Sequence, residues 1–128
     1  DRIVRFDDMS GKNMVSYGVH GAGNQQLHYP GDIRIDKDDR IHITDKFNHR
    51  IVRIDDLKGN GWIDFDIRVL GNIMGPNVVN ITDDDKLLFT CQEAIVQIDN
   101  MHGENPIVFG CKGHRKFEFR QPIDISIG

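Results

Sequence analysis

Six histidines, two cysteines and one run of cations are the groups in this 128-residue chain with obvious chemical potential. Histidine is a common metal ligand, and a metal site is usually signalled by close spacing such as H-E-x-x-H. His20, His28, His42, His49, His102 and His114 show no such spacing, so neither a metal nor another cofactor is expected. The segment "KGHRKFEFRQ" (112–121) interleaves Lys112, His114, Arg115, Lys116 and Arg120 with phenylalanines, as a nucleic-acid surface does. Against it stands a net charge of −4 and a pI near 5.8, which supply no general attraction to polyanions. Nucleic acid is therefore not the expected partner. The acidic stretches "DKDD" (36–39) and "TDDD" (82–85) lack the D-x-D-x-D-G run and distal Glu of a calcium loop, and read as turns. No Ser-His-Asp phrase and no phosphate-binding loop is present, so no catalytic residue is assigned. No run of about 18 apolar residues suggests a membrane span.

What positions these groups is a repeat. The phrase "RIVRFDDMSGKNMVSYG" (2–18) returns as "RIVRIDDLKGNGWIDFD" (50–66) and "AIVQIDNMHGENPIVFG" (94–110). A second phrase returns as "PGDIRID" (30–36), "PNVVNIT" (76–82) and "PIDISIG" (122–128). The prolines Pro30, Pro76 and Pro122 fall 46 residues apart, and changes of length are confined to connections, as in stacked repeats. Inside a unit the apolar period is two: Ile33 and Ile35 face away from Asp32 and Arg34, and Ile41 and Ile43 alternate likewise. Turn-forming residues interrupt at 36–39, 45–48, 55–61 and 18–26. Each unit is thus predicted to hold four short antiparallel strands, at 30–36, 40–45, 50–55 and 62–65, then at 76–82, 86–91, 94–99 and 106–109. The fold class is all-β, and a period near 46 with four strands per unit predicts β-propeller blades.

The stretch "QLHYPGDIRIDKDDRIHITDKFNHRIVRID" (26–55) resembles an NHL repeat, through Gln26, Pro30, Asp36, Ile41, Asp45, Asn48, Arg50 and Ile51. The following "DDMSGKNMVSYG" and "DDLKGNGWIDFD" are similar to a subtype common in bacterial exported NHL proteins. The resemblance implies a propeller of about six blades and an extracellular or periplasmic location. On that frame residues 1–18 end one blade, 30–66 and 76–110 are complete blades, and 122–128 opens the next, about 2.75 blades in all. The expectation is a piece of a longer chain, or a half-ring that closes by self-association.

The resemblance also implies that the loops joining the units, and those between the second and third strands of a unit, lie on one face and are the surface for a protein partner. That face would gather His20, His28, Lys46, Phe47, His49, Lys112, His114, Arg115, Lys116 and Arg120. On the innermost strands, where the family usually carries Gly and Ala, stand Asp32, Arg34, Asn80 and Asp124. They are candidates for a polar axial channel, or for an ion-pair network between inner strands. Cys91 and Cys111 flank a middle strand, a separation of about 9.6 Å that exceeds disulfide reach, so free thiols are expected. The functional expectation is a non-enzymatic interaction scaffold. The alternatives are a metal-dependent lyase or lactonase, as in a related propeller lyase with histidine-bound zinc, and an RNA-binding NHL domain.

Overall fold

The computed structural model describes residues 1–5, 9–71 and 73–110. The strand expected at 122–128 lies outside the described residues. Strands β1 (Ile3–Arg5) and β2 (Val15–Tyr17) form an antiparallel pair, with Ile3 opposite Tyr17. Two-residue strands β3 (Val19–His20) and β4 (Gln26–Leu27) pair in parallel. Then β5 (Pro30–Ile35), β6 (Ile41–Asp45), β7 (Arg50–Ile54) and β8 (Ile63–Asp66) make a four-stranded antiparallel sheet in chain order. A second one follows from β9 (Val79–Ile81), β10 (Leu87–Cys91), β11 (Ala94–Ile98) and β12 (Ile107–Phe109). The only helical turns among the described residues are 3-10 turns at Lys46–Asn48 and Ile67–Leu70. No helix there is long and apolar enough to cross a membrane.

The sequence repeat is also a hydrogen-bond repeat. Asp36 N–H bonds the Arg40 carbonyl, as Thr82 N–H bonds that of Lys86. Asp55 N–H bonds the Asn60 carbonyl, as Asp99 N–H bonds that of Glu104. Phe47 N–H bonds the His28 carbonyl, as Gln92 N–H bonds that of Met74. Left-handed backbone recurs too, at Asp39 and Asp85 and at Gly59 and Gly103. Asp tolerates this region through local hydrogen bonding and Gly for want of a Cβ, so these types punctuate both units.

The strands match the expected spans except β9, which begins three residues later than the proline phrase suggests. A threonine explains the irregularity. In β6 the Thr44 hydroxyl accepts from Asp32 N–H at 2.7 Å, and in β10 the Thr90 hydroxyl accepts from Val78 N–H at 3.1 Å. A side chain here replaces a ladder carbonyl, and the register of β5 shifts between Pro30 and Ile33. Thr44 Oγ1 also donates to the Asn77 carbonyl at 2.9 Å, tying the two sheets. Gly31 sits at this crossing: a Cβ there would lie 2.8 Å from the Asn77 carbonyl oxygen.

The first four-stranded sheet is covered on both faces, and all five residues of β6 are buried. Ile41, Ile43, Val52 and Ile54 pack against Tyr17 and Leu27. The opposite face contributes Ile51, which joins Phe65 and Ile67 in one core with Val79, Leu87, Phe89, Val96 and Ile98 of the second sheet. Each fully buried Ile or Phe stabilises by about 1.5–3 kcal/mol, so this shared core fixes how the sheets stack. The aliphatic pair of β5 is less covered. Ile33 and Ile35 stay exposed along a groove of about 520 Å³ that Ile3, Val4 and Leu57 also line.

Candidate functional site

The turn between β6 and β7 is built around one arginine. Arg50 opens β7, and its guanidinium turns back into the protein with its side chain only 8% exposed. Nε donates to Asp45 Oδ2 at 2.7 Å; Nη1 donates to Asp64 Oδ2 at 3.0 Å and to the Ala22 carbonyl at 3.1 Å. Nη2 donates to the carbonyls of Gly23 at 3.0 Å and Gln26 at 2.7 Å. All five donors of a guanidinium are thereby used, so Arg50 holds the 21–26 loop and has none left for a ligand. Asn48 assists, donating to the Gly21 carbonyl at 2.7 Å and to Asp45 Oδ2 at 2.9 Å. Asp45, fully buried, also accepts from His28 N–H at 2.7 Å. The guanidinium further lies 5.1 Å from the centre of the Trp62 ring. Nearby, burial pushes the Tyr17 hydroxyl up to about 12 although Arg50 pulls it down.

This clamp presents a row of rings. His20 meets His28 edge to face at 4.6 Å between centroids, and His28 meets Phe47 edge to face at 5.2 Å. Phe47 in turn stacks on Tyr29 at 4.8 Å. Tyr29 and Phe47 are 61% and 49% exposed. Tyr29 has φ 62°, the left-handed region that costs a residue with a Cβ about 1–2 kcal/mol. Its counterpart in the second unit is Gly75, with φ 64°. The first unit thus carries a strained tyrosine where the second uses the residue without strain, and its ring lies in solvent against Phe47. Strain of this kind concentrates at functional positions.

Beside Phe47 lies a polar depression of about 340 Å³, also lined by His49, Arg50, Asp64, Asp66 and Arg68. Its charges are matched. Arg68 pairs with Asp66 at 2.7 Å, and that bond holds the Asp66 carboxyl below the usual carboxylate range against a smaller upward push from burial. His49 Nδ1 accepts from Gly75 N–H at 3.1 Å, joining the first unit's turn to the second unit's loop.

Of the residues expected on the loop face, His20, His28 and Phe47 form one ring cluster, with Lys46 and His49 on the same turn. Lys112, His114, Arg115, Lys116, Arg120, Asp124 and Cys111 lie outside the described residues. Tyr29 was missed by sequence reasoning; its one signal was a bulky residue at a position where the second unit has glycine. On the first strands of the two sheets, Asp32 Oδ2 accepts from Val79 N–H at 3.1 Å, fastening β5 to β9. Its other oxygen meets Arg34 Nη1 at 3.3 Å, while Asn80 Oδ1 accepts from Ile81 N–H. Cys91 is a free, buried thiol, which burial pushes up to about 12. Among the described residues no three His, Cys, Asp or Glu side chains converge on a common metal position.

Set beside known families and curated proteins, the sequence matches no family model and no curated protein.

Proposed function

We propose that the chain is made of NHL-type β-propeller blades and serves as an interaction scaffold, binding a protein partner through the His20–His28–Phe47–Tyr29 cluster. The propeller reading is supported by the period of four antiparallel strands, by hydrogen bonds that recur between units, and by the side-by-side approach of the first strands of each sheet. The observation that carries the binding reading is the exposed Tyr29–Phe47 stack, one ring of which is held on strained backbone. Rigid aromatic rings are the commonest anchors of protein interfaces, because they bury large area while losing little rotamer freedom. The clamp beneath them fixes the loop before any partner arrives, which lowers the entropy cost of binding.

A photo-crosslinking amino acid at position 47 tests this in an extract of the source cells. A discrete protein adduct, lost on Tyr29→Gly and absent when the label replaces exposed Met9, is the expected result. Equal labelling from positions 47 and 9 would overturn it.

A further inference from the structure

Between the two four-stranded sheets runs a second cleft, of about 260 Å³, remote from the ring cluster. The first sheet lines it with Asp36, Arg40, His42 and Arg53; the second contributes Asp85 and Asp99. The carboxylates are already engaged. Asp36 takes Arg40 Nε at 2.9 Å and His42 Nε2 at 2.9 Å, Asp85 takes Lys37 at 2.6 Å, and Asp99 faces Lys86 at 3.7 Å and accepts from Asn105 at 2.7 Å. Arg53 is left as the cation of the cleft with no carboxylate among the described residues, and its Nε is buried without an acceptor. Directly across the β6–β7 ladder from Arg53 stands His42, its side chain 4% exposed and its Nδ1 also without a partner. Buried polar atoms are nearly always satisfied, and here two unsatisfied ones belong to cross-strand neighbours lining the same cavity.

We infer that this cleft binds a short-chain aliphatic monocarboxylate, held by the Arg53 guanidinium and the His42 imidazole. A carboxylate matches the planar fork of an arginine; one oxygen accepts from Nε–H after the side chains that keep this atom and His42 Nδ1 from solvent move aside. Its second oxygen accepts from His42 Nδ1–H once the ring is protonated, while Nε2–H stays on Asp36. In the empty cleft burial holds His42 below its ordinary value, although Asp36 pulls the other way and Arg53 and Arg40 push with burial. The ligand's negative charge reverses that balance, so binding takes up a proton. The other carboxylates of the cleft, Asp85 and Asp99 on the second sheet, are paired with Lys37 and Lys86, so a single negative charge is what Arg53 is left to match. Ile81, Leu87 and Met101 give the tail an apolar wall, and the volume, under the roughly 300–1,000 Å³ of drug-sized pockets, limits it to a few carbons.

The test is direct observation of the Arg53 Nε–H and His42 ring nitrogens by ¹⁵N NMR as sodium butyrate is added to the intact protein. Sodium chloride at equal ionic strength, sulfate and 1,3-propanediol serve as controls. Expected are a saturable shift of both side chains and an affinity that rises up to about tenfold per pH unit as the pH falls through the histidine range. Arg53→Lys, which keeps charge but loses the fork, should weaken binding by about tenfold or more. No saturable shift beyond the chloride control would mean that these atoms stay sealed within the packing, and the inference fails. Equal response to the diol, or tighter binding of sulfate, would overturn the monocarboxylate class.

Discussion

Replacing Arg50 by alanine should cost about 3–5 kcal/mol, the range for removing one partner of a buried ion pair. Asp45 has no solvent exposure, and without Arg50 it retains only His28 N–H and the Asn48 amide as donors. Asp64 is 40% exposed and rehydrates, so the loss at that end of the pair is small. The carbonyls of Ala22, Gly23 and Gln26 lose their donor together, and the 21–26 loop is released. Domains of this size are stable by about 5–15 kcal/mol, so the variant should stay folded only marginally. Urea denaturation of wild type, Arg50→Ala, Asp45→Asn and the double variant measures both the loss and the coupling. A coupling of about 1–3 kcal/mol is expected for groups in one network. Arg50→Lys should recover only part of the loss, because three donors cannot serve five acceptor contacts. A loss below about 1 kcal/mol with no coupling would refute the account of Arg50 as the fastening of this turn.

Tyr29→Gly should leave stability unchanged or raise it by up to about 1 kcal/mol, since relief of left-handed strain offsets the lost ring contact; the crosslink from position 47 should vanish, and a fall in thermal midpoint would contradict the strain argument. Trp62→Ala should destabilise by about 2–3 kcal/mol, below the 3–5 of a fully buried tryptophan, because Trp62 is partly covered against the Tyr17 and Leu27 cluster; a midpoint shift of a degree or less would place it on the surface. Acid should weaken the fold in a defined window. Burial pushes Asp36 up, but hydrogen bonds from His42, Arg40 and backbone N–H groups outweigh it and hold the carboxyl at about 2 against an ordinary 3.8. A depressed folded value gives stability that is present above about pH 4 and lost as the pH falls through about 2, worth about 2 kcal/mol. His42, kept neutral by burial, adds a loss that starts higher, because the unfolded chain takes up that proton first. Asp36→Asn should flatten the lower step in pH-dependent denaturation.

The strands and turns were legible because their signals are local. Alternation in "DIRID" and "RIHIT", and left-handed turns at Asp39 and Gly59, need no distant partner. What escaped depends on side chains meeting across the chain. Tyr29 looks like an ordinary residue before a proline until its ring is found on Phe47, 18 positions away. Arg50 stood out only through a resemblance, which did not reveal its use, since three of its acceptors are loop carbonyls that no sequence pattern marks. Strand alternation sets His42 on the face opposite Ile41 and Ile43; that a second sheet stands against this face, burying the imidazole beside Asp36, followed only from the stacking. Asp32 likewise gave no sign that a backbone N–H of the next unit would take one of its oxygens.

The equivalence of Tyr29 and Gly75 gives the frame a vacant socket. A Cβ on Gly75 would meet nothing closer than 3.7 Å, and the backbone there already has the conformation that displays Tyr29. Gln92, whose N–H bonds the Met74 carbonyl as Phe47 N–H bonds that of His28, stands where the stacking ring would go. Gly75→Tyr with Gln92→Phe would therefore copy the ring pair onto the next unit at a distance set by the β-sheets instead of by a tether. Duplicating a weak contact on a rigid spacer raises avidity for a two-site partner by about 10²–10⁴-fold when the spacing fits. If the ring pair is a partner's seat as proposed, such a repeat would gain a new specificity by counting, with the pattern of occupied and empty seats as the signal that is read.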